Sequence, residues 1–318
     1  MLQAAVQSAD IAALWDVGAL NAGFLVVRPS AASQQLYETI RRLTTRRKRL
    51  DDQRALNRAT RLLKTQHSDH GKLRVNVLNR NRFLSGLDYF EKAGRLFPKP
   101  PDDDKSNENA LVVHNNWIVG KQAKIYRFRE HLMWQYDGGS EQYYSSQTRK
   151  CLTYANPTPS PNATRRATIE RELMYLRTAL IIGHFLNRVV ILPRFHCGAT
   201  AVFARLRQCP LNSIIHIKTF DSILSGLYRE NSFLQHPKVP DSVKQGVTDG
   251  LFTVSQSTSS LPVTGSNIMR LFGELDAKVL NLTNLHRVKV YLNDESFDIV
   301  FIKTLELAFR RSRYRQLH

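Results

Sequence analysis

The sequence predicts an α/β fold built from two domains, and three observations lead to this prediction. Short apolar runs typical of strands alternate with longer amphipathic stretches typical of helices in both halves of the chain. A segment rich in Gly, Ser, Tyr, Thr and Pro separates the two halves. The length of 318 residues is sufficient for two hydrophobic cores. We expect an open-sheet α/β domain over residues 1–137, a linker over 138–162 and a second α/β domain over 163–318.

The individual elements follow from the spacing of the apolar residues. In the first half, the pattern predicts strands at 24–27, 75–78 and 110–113 and helices at 31–50, 51–63 and 121–134. In the second half, it predicts a helix at 169–185 and strands at 189–193, 214–217, 288–292 and 299–302.

The chain is strongly basic, since 46 Lys and Arg residues against 27 Asp and Glu residues give a formal net charge of +19. Such a charge attracts nucleic acid, anionic lipid or acidic polysaccharide through its long-range field. The densest basic cluster, at 41–49, lies on a predicted helix and contains no aromatic residues that would stack on bases. We therefore favour a solvated helix face over a nucleic-acid site. No run of 18 apolar residues predicts a membrane-spanning helix.

The three cysteines, Cys151, Cys197 and Cys209, are too few and too widely spaced for a zinc module. Cys197 and Cys209 enclose a short loop. In an oxidising compartment these two residues would form a disulfide and leave Cys151 free.

Polar segments stand at three predicted strand or helix ends, which is where open α/β sheets bind ligands. In the segment at 20–24, Asn21 is suited to hydrogen-bond a sugar hydroxyl or a pyrophosphate, and Gly23 permits a close approach; the alternative is a tight turn before a strand. In the segment at 51–57, Asp51 or Asp52 is a suitable helix cap. Together with Gln53, the same carboxylates would instead orient donor hydroxyls or stabilise positive charge at an anomeric carbon.

The third segment, at 114–121, follows a predicted buried strand. His114 offers an imidazole for a metal, Gly120 lets the backbone approach a ligand, and Lys121 brings a point charge suited to a phosphate. The alternative is a strand-end histidine followed by a helix with a solvated lysine. Together the segments suit a nucleotide-sugar and its divalent ion better than a nucleophile triad, and no G-x-S-x-G, H-E-x-x-H, P-loop or G-x-G-x-x-G motif is present.

These three segments, followed by Lys124, Arg127, Phe128, Glu130 and Trp134, resemble the nucleotide-diphospho-sugar transferase family. That family includes the plant cell-wall xylosyl- and arabinosyltransferases of glycosyltransferase family 77. The resemblance implies a partial GT-A fold, a UDP-sugar donor, a glycan or glycoprotein acceptor, and a divalent cation such as Mn2+. It also implies retention at the anomeric carbon and a type II membrane protein of the Golgi lumen.

Carried over by residue, the resemblance implies that Asp52 and Gln53 act beside the reacting sugar and that His114 is a metal ligand. It further implies donor contacts by a larger set, comprising Asn21, Gly23, Asp51, Gly120 and Lys121. Family members carry an Asp-x-Asp metal motif on a strand well before the Asn-Ala-Gly-Phe segment, whereas only residues 1–19 precede it here.

The missing Asp-x-Asp motif leads us to expect an amino-terminally shortened domain with an incomplete metal site, whose activity alone is open. The membrane anchor would likewise lie outside this chain. The alternative is a non-catalytic carbohydrate- or protein-binding relative with a basic surface. In the second half, residues 176–195 resemble the helix and strand that open fucosyltransferase-like domains, and the alternative there is a packed α/β unit without chemistry. We expect His184 to be packed, and Arg194, His196 and Glu230 to be available for an acceptor.

Overall fold

The structure is a computed structural model whose contacts divide the chain into two compact units. The first unit comprises Met1–Ala93 and Lys99–Trp117, and the second comprises Gly94–Pro98 and Ile118–His318. The α/β class predicted from the sequence is confirmed in both units. The structure describes residues 7–46, 50–65, 72–92, 110–135, 143–144, 150–156, 158–160, 162–196, 208–209, 211–251, 261–283, 285, 288–290 and 298–312. Within these ranges, no helix is long and apolar enough to cross a membrane.

The first unit is built on two small sheets. Its elements are β1 (Ile11–Asp16), β2 (Ala19–Val27), α1 (Ala31–Arg46), α2 (Asp52–Thr65), β3 (Val75–Val77), β4 (Phe83–Ser85) and β5 (Val112–His114). β1 pairs antiparallel with β2 and parallel with β3, while β4 pairs parallel with β5. α1 and α2 bury Leu36, Leu56 and Ala59 against Ile11 and Ala13 of β1. This packing follows from the helical spacing of the apolar residues.

A tight hairpin turn joins β1 to β2. Val17 and Gly18 both have positive φ angles, of 36° and 85°, as a two-residue type I′ turn requires. β2 therefore begins at Ala19, and the residues from Leu20 to Gly23 lie inside a strand. The alternative of a tight turn at 20–24 is wrong, because β1 supplies an antiparallel partner that extends β2 toward its amino end.

Asp10 fastens the amino end of β1 to its neighbours. Its buried carboxylate accepts hydrogen bonds from the backbone N–H of Arg74 at 2.9 Å, the guanidinium of Arg28 at 2.9 Å and the hydroxyl of Ser30 at 3.0 Å. Burial alone would raise the pKa of Asp10, but these hydrogen bonds outweigh burial and hold the pKa well below its usual range. Asp10 is thus a structural node at the strand end opposite to Asp16.

The second unit is built around a five-stranded parallel sheet. The elements of this unit are α3 (Lys121–Glu130), β6 (Cys151–Tyr154), α4 (Arg165–Phe185), β7 (Val189–Ile191), β8 (Phe195–His196), β9 (Gln208–Cys209), α5 (Ile217–Leu224), β10 (Tyr228–Arg229), α6 (Asp241–Lys244), β11 (Val247–Leu251), β12 (Leu261–Val263), α7 (Gly265–Phe272), β13 (Val279–Thr283), β14 (Val288–Val290) and α8 (Ile299–Ser312). The strand order of the sheet is β10-β7-β6-β13-β11. The sheet packs against α4, α5, α7 and α8 around one apolar core.

The contacts group α3 with the second unit rather than with the strands that precede it. Ala123 and Tyr126 of α3 belong to the core that also contains Leu176 and Phe220. The first unit therefore ends at Trp117 in the sequence, before the predicted domain end at residue 137. The predicted domain boundaries themselves stay a prediction.

Two predicted strands of the second half are wrong. Residues 214–217 lead into α5, and residues 299–302 open α8. Short apolar runs do not distinguish a strand from a buried helical segment. In α8 the buried residues Phe301, Ile302, Leu305 and Ala308 recur at helical spacing, and this longer pattern outweighs the β-branched start of the run.

The cysteines agree with the pattern predicted from their spacing. Cys209 is disulfide-bonded and Cys151 is a buried free thiol. The predicted partner of Cys209, Cys197, lies outside the described residues. Burial raises the pKa of the Cys151 thiol, which is consistent with a packed and unreactive side chain.

Candidate functional site

Asp16 organises the carboxyl ends of β1 and β5 in the first unit. Its Oδ2 accepts hydrogen bonds from the side-chain amides of Asn21 at 3.1 Å and Asn116 at 2.6 Å, and its Oδ1 accepts one from the indole N–H of Trp117 at 2.8 Å. Asp16 is only 4% exposed. A buried carboxylate with three donors fixes the loop after β5 against the β1–β2 hairpin.

Asn21 is held by the same network. While its Nδ2 donates to Asp16, its Oδ1 accepts the backbone N–H of Gly23 at 2.7 Å. Asn21 is 2% exposed, so its side chain shapes β2 from within. A contact between Asn21 and a donor sugar stays a prediction, and the hydrogen bonds of this side chain join β2 to Asp16.

Gly23 and His114, which lie far apart in the sequence, meet in the first unit. A Cβ added to Gly23 would lie 2.5 Å from Nε2 of His114, a distance that no real side chain tolerates. The absence of a side chain at Gly23 therefore makes room for the imidazole. The sequence predicted that a ligand approaches Gly23 closely. In the structure the space beside Gly23 is occupied by His114, the predicted metal ligand.

A second glycine secures the loop that follows β5. The backbone N–H of Gly86 donates to Oδ1 of Asn116 at 2.7 Å, and a Cβ on Gly86 would collide with the backbone carbonyl oxygen of Asn116. Trp117, next in the chain, has a positive φ of 60° and is 53% exposed. Backbone strain at a non-glycine residue costs roughly 1–3 kcal/mol and persists only where surrounding contacts impose it. The indole bond to Asp16 is such a contact.

The start of α2 is tied to β2 by Asn57. Its Oδ1 accepts the N–H of Leu20 at 2.9 Å, and its Nδ2 donates to the carbonyl of Leu20 at 2.8 Å. Asp51 caps α2, since its Oδ1 accepts the N–H of Arg54 at 2.7 Å, as predicted for the capping alternative. Asp52 is exposed and accepts the N–H of Gln53. The side-chain amide of Gln53 makes no hydrogen bond with any residue that the structure describes.

Polar side chains thus converge where the strands of the first unit end, as in ligand sites of open α/β sheets. Residues 4–128 match the nucleotide-diphospho-sugar transferase family. The match supports this family for that part of the chain, and the family suggests glycosyltransferase activity. It spans the described strands of the first unit and the start of α3. No curated protein and no solved structure matches the chain significantly.

The narrower family assignments are not tested by this match. The resemblance of the first half to glycosyltransferase family 77 and that of the second half to fucosyltransferase-like domains both stay predictions. The transferase family implies a nucleotide-sugar donor and a glycan acceptor in general terms.

Transferases of this family often use a divalent cation, and the described residues allow a test of fit. No group of three or more His, Cys, Asp or Glu side chains stands together in the described part of the chain. Both oxygens of Asp16 already accept hydrogen bonds, and His114 supplies a single ring nitrogen toward a cation that prefers several oxygen ligands. The described residues do not form a complete cation site.

Gly120 and Lys121, the predicted diphosphate contacts, belong to the second unit. Gly120 has a positive φ of 99° and precedes α3 without a side-chain cap, and a Cβ there would lie 3.1 Å from the side chain of Lys218. Lys121 is exposed in the first turn of α3. The positive φ accounts for glycine at position 120. Diphosphate binding by this pair stays a prediction.

The second unit contains a separate cluster of buried polar groups around the end of α3. Glu130 is 2% exposed, its Oε1 accepts the N–H of Leu211 at 3.5 Å, and its Oε2 has no hydrogen-bond partner among the described residues. Burial raises the pKa of Glu130 to about 8, against the opposing effects of the Leu211 N–H and Arg127. Burial and the charge of Arg127 lower the pKa of His131 to about 3. Both side chains are therefore mainly neutral at pH 7.

Of the residues expected to be available for an acceptor, Arg194 is exposed, His196 is half-buried and Glu230 is buried. Glu230 is fully buried, and its Oε2 accepts the hydroxyl of Tyr143 at 2.6 Å. His196 bonds the buried carboxylate of Glu172 through both its ring Nδ1 and its backbone N–H. His184, expected to be packed, is instead exposed and stacks on Phe301 with ring centroids 3.8 Å apart.

The segments at 51–57 and 114–121 contain Asn57, Asn116 and Trp117, for which the sequence predicted no role, and Asp16 was not predicted. The available signal for Asp16 was the apolar run at 11–15 followed by Asp-Val-Gly, which is typical of a strand that enters a tight turn. Two of the three partners of Asp16, Asn116 and Trp117, lie about a hundred residues further along the chain. Pattern alone does not reveal that pairing.

Proposed function

We propose that the chain is a glycosyltransferase whose first unit binds the sugar and diphosphate of a UDP-sugar. The observation that carries the proposal is the network around Asp16, which joins the Asn-Ala-Gly segment of β2 to the loop after β5 within the part of the chain that matches the transferase family. The network pre-organises polar groups at a strand end before a ligand arrives. Such pre-organisation reduces the entropy that binding costs.

The proposed roles follow from which atoms remain available. Asn21 and Asp16 are fully engaged and act by positioning. Trp117 has its indole N–H fixed while half of its surface is exposed, which suits stacking on a sugar ring or a base. The Asp52 carboxylate and the Gln53 amide, at the start of α2, are available to orient donor hydroxyls and to stabilise positive charge at the anomeric carbon.

His114 would contact the donor with its imidazole, for which the missing side chain at Gly23 makes room. In the family a divalent ion supplies charge neutralisation for the leaving diphosphate. The described residues do not complete a cation site, so the donor contacts proposed for this chain are made by its own side chains. Within this chain, His114 and Trp117 hold the donor, and Asp16 holds Trp117.

The proposal is tested by titrating the purified protein with UDP-glucose, UDP-xylose and UDP-arabinose, in the presence and absence of Mn2+, in an isothermal calorimeter. We expect at least one UDP-sugar to bind and His114→Ala to weaken its binding at least tenfold. His184→Ala, an exposed histidine of the second unit, serves as the matched control and should bind as the wild type does. If no nucleotide-sugar binds under either condition, the proposal fails.

Transfer is examined separately from binding. Incubation with a radiolabelled UDP-sugar and a glycan mixture should yield labelled product, and NMR of the product would report whether the anomeric configuration is retained. A donor that binds without turnover would instead favour the carbohydrate-binding relative. An acceptor of glycan or glycoprotein type and residence in the Golgi lumen are part of the proposal and rest on the family resemblance alone.

A further inference from the structure

A cavity of about 640 Å³ lies between α4 and α8 of the second unit. Its volume falls in the range of roughly 300–1,000 Å³ that small-molecule sites occupy. Every described residue that lines it belongs to the second unit, whereas the network around Asp16 belongs to the first.

One wall of the cavity is apolar. Leu173 and Phe309 are half-buried and pack on the main core, while Met174 is 52% exposed. An exposed methionine beside half-buried apolar residues provides an adaptable surface for an apolar ligand. This wall would gain stability if a hydrocarbon chain or ring covered it.

Among the described residues that line the cavity, one positive charge has no ion-pair partner. Arg177 bonds Glu306 at 2.6 Å, and Arg166 bonds Glu170 at 2.9 Å, so each carboxylate is matched by an arginine. Arg310 is exposed and makes no ion pair with any residue that the structure describes. Three arginines against two carboxylates give the described part of the lining a net charge of +1.

We propose that this cavity binds a small amphipathic anion, with the apolar body on Leu173, Met174 and Phe309 and the single negative charge at Arg310. The ligand class is a carboxylate or a sulfate monoester attached to a hydrocarbon body, since each carries a single negative charge at pH 7. The ligand's charge is set by the net charge of the lining, and its size by the cavity volume. The inference goes beyond the proposed transferase function and does not rest on it.

Decanoate is a suitable probe because it joins one negative charge to an apolar chain. Calorimetry should detect one decanoate per protein, bound at least about tenfold more tightly than decanol or acetate, which carry only the chain or only the charge. Arg310→Glu should weaken decanoate binding about tenfold, and Arg310→Gln less, because only the former adds repulsion. Met174→Ser should weaken binding several-fold through lost apolar contact.

Matched controls lie on α7, outside the cavity. Arg270→Glu and Met269→Ser alter an exposed arginine and an exposed methionine and should leave decanoate binding unchanged. Equal binding of decanol and decanoate, or an Arg310→Glu variant that binds as the wild type does, would overturn the proposal. So would equal losses in the α7 controls. Decanoate binding with no response to UDP-sugars would leave this inference standing while the proposed function failed.

Discussion

Replacing Asp16 by Asn tests whether one carboxylate organises the carboxyl ends of the first unit. The substitution keeps the shape of the side chain but removes its charge and turns one acceptor oxygen into a donor. At least one of the three hydrogen bonds, from Asn21, Asn116 and Trp117, is lost and the remainder lose their charge assistance. A hydrogen bond to a charged group contributes about 1.5–3 kcal/mol. We therefore expect the free energy of unfolding of the first unit to fall by about 3 kcal/mol.

The assay is urea unfolding monitored by hydrogen exchange of the β1 and β2 backbone amides, because these amides belong to the first unit and report its unfolding alone. Asp51→Asn is the control, because Asp51 is exposed and Asn is an equally good helix cap, so its loss should stay below about 0.5 kcal/mol. UDP-sugar binding by Asp16→Asn should weaken as well, since Trp117 loses its anchor. A loss below about 1 kcal/mol, or one equal to that of Asp51→Asn, would refute the reasoning.

Three further predictions address other parts of the chain. Gly23→Ala should push the tip of the His114 imidazole aside and lower the free energy of unfolding by less than about 1 kcal/mol, because the tip of a side chain moves easily. The displaced imidazole should weaken UDP-sugar binding. Unchanged binding in calorimetry would show that His114 does not contact the donor. Asp10→Asn should lower the unfolding free energy by about 2–4 kcal/mol at pH 7. Because its pKa is depressed, the contribution of Asp10 is present above the ordinary value of 3.8 and is lost as the pH falls below it, so urea unfolding should show wild type and variant converging toward pH 2. Glu130 has a raised pKa of about 8, so its neutral form stabilises the fold below its ordinary value of 4.5, and this contribution is lost as the pH rises through 8. Glu130→Gln should therefore flatten the fall in stability between pH 4.5 and 8, and an unaltered slope would assign that fall to other groups.

The sequence predicts the fold well where the pattern of apolar residues extends over many residues. The apolar spacing of α2 and α4 predicted both helices, and the Asp51 cap marked where α2 begins. Short runs were less informative. The start of α8 was read as a strand because four β-branched or aromatic residues in a row fit either structure, and only packing against α5 resolves the choice.

The sequence predicted which residues belong to the candidate site better than it predicted what those residues contact. Asn21, Gly23 and His114 were identified by residue type, and the first unit brings these three together. The structure adds contacts of Gly23 and Asn21 that the sequence did not predict. Gly23 lies against the imidazole of His114. The side-chain amide of Asn21 donates to Asp16, and its oxygen accepts the N–H of Gly23. Asp16, which accepts a hydrogen bond from Asn21, was not predicted because its other partners, Asn116 and Trp117, follow a distant strand.

By itself, the sequence determined the α/β class, the basic charge and the polar segments at strand ends, since these depend on local periodicity and composition. The tertiary structure alone decided which of those segments meet. Gly23 touches His114, and Asp16 receives Asn116 and Trp117, because parallel pairing and the β1–β2 hairpin bring distant strand ends to one place. It also decided the grouping of α3 with the second unit, because burial depends on the partner surface and not on the helix's own sequence.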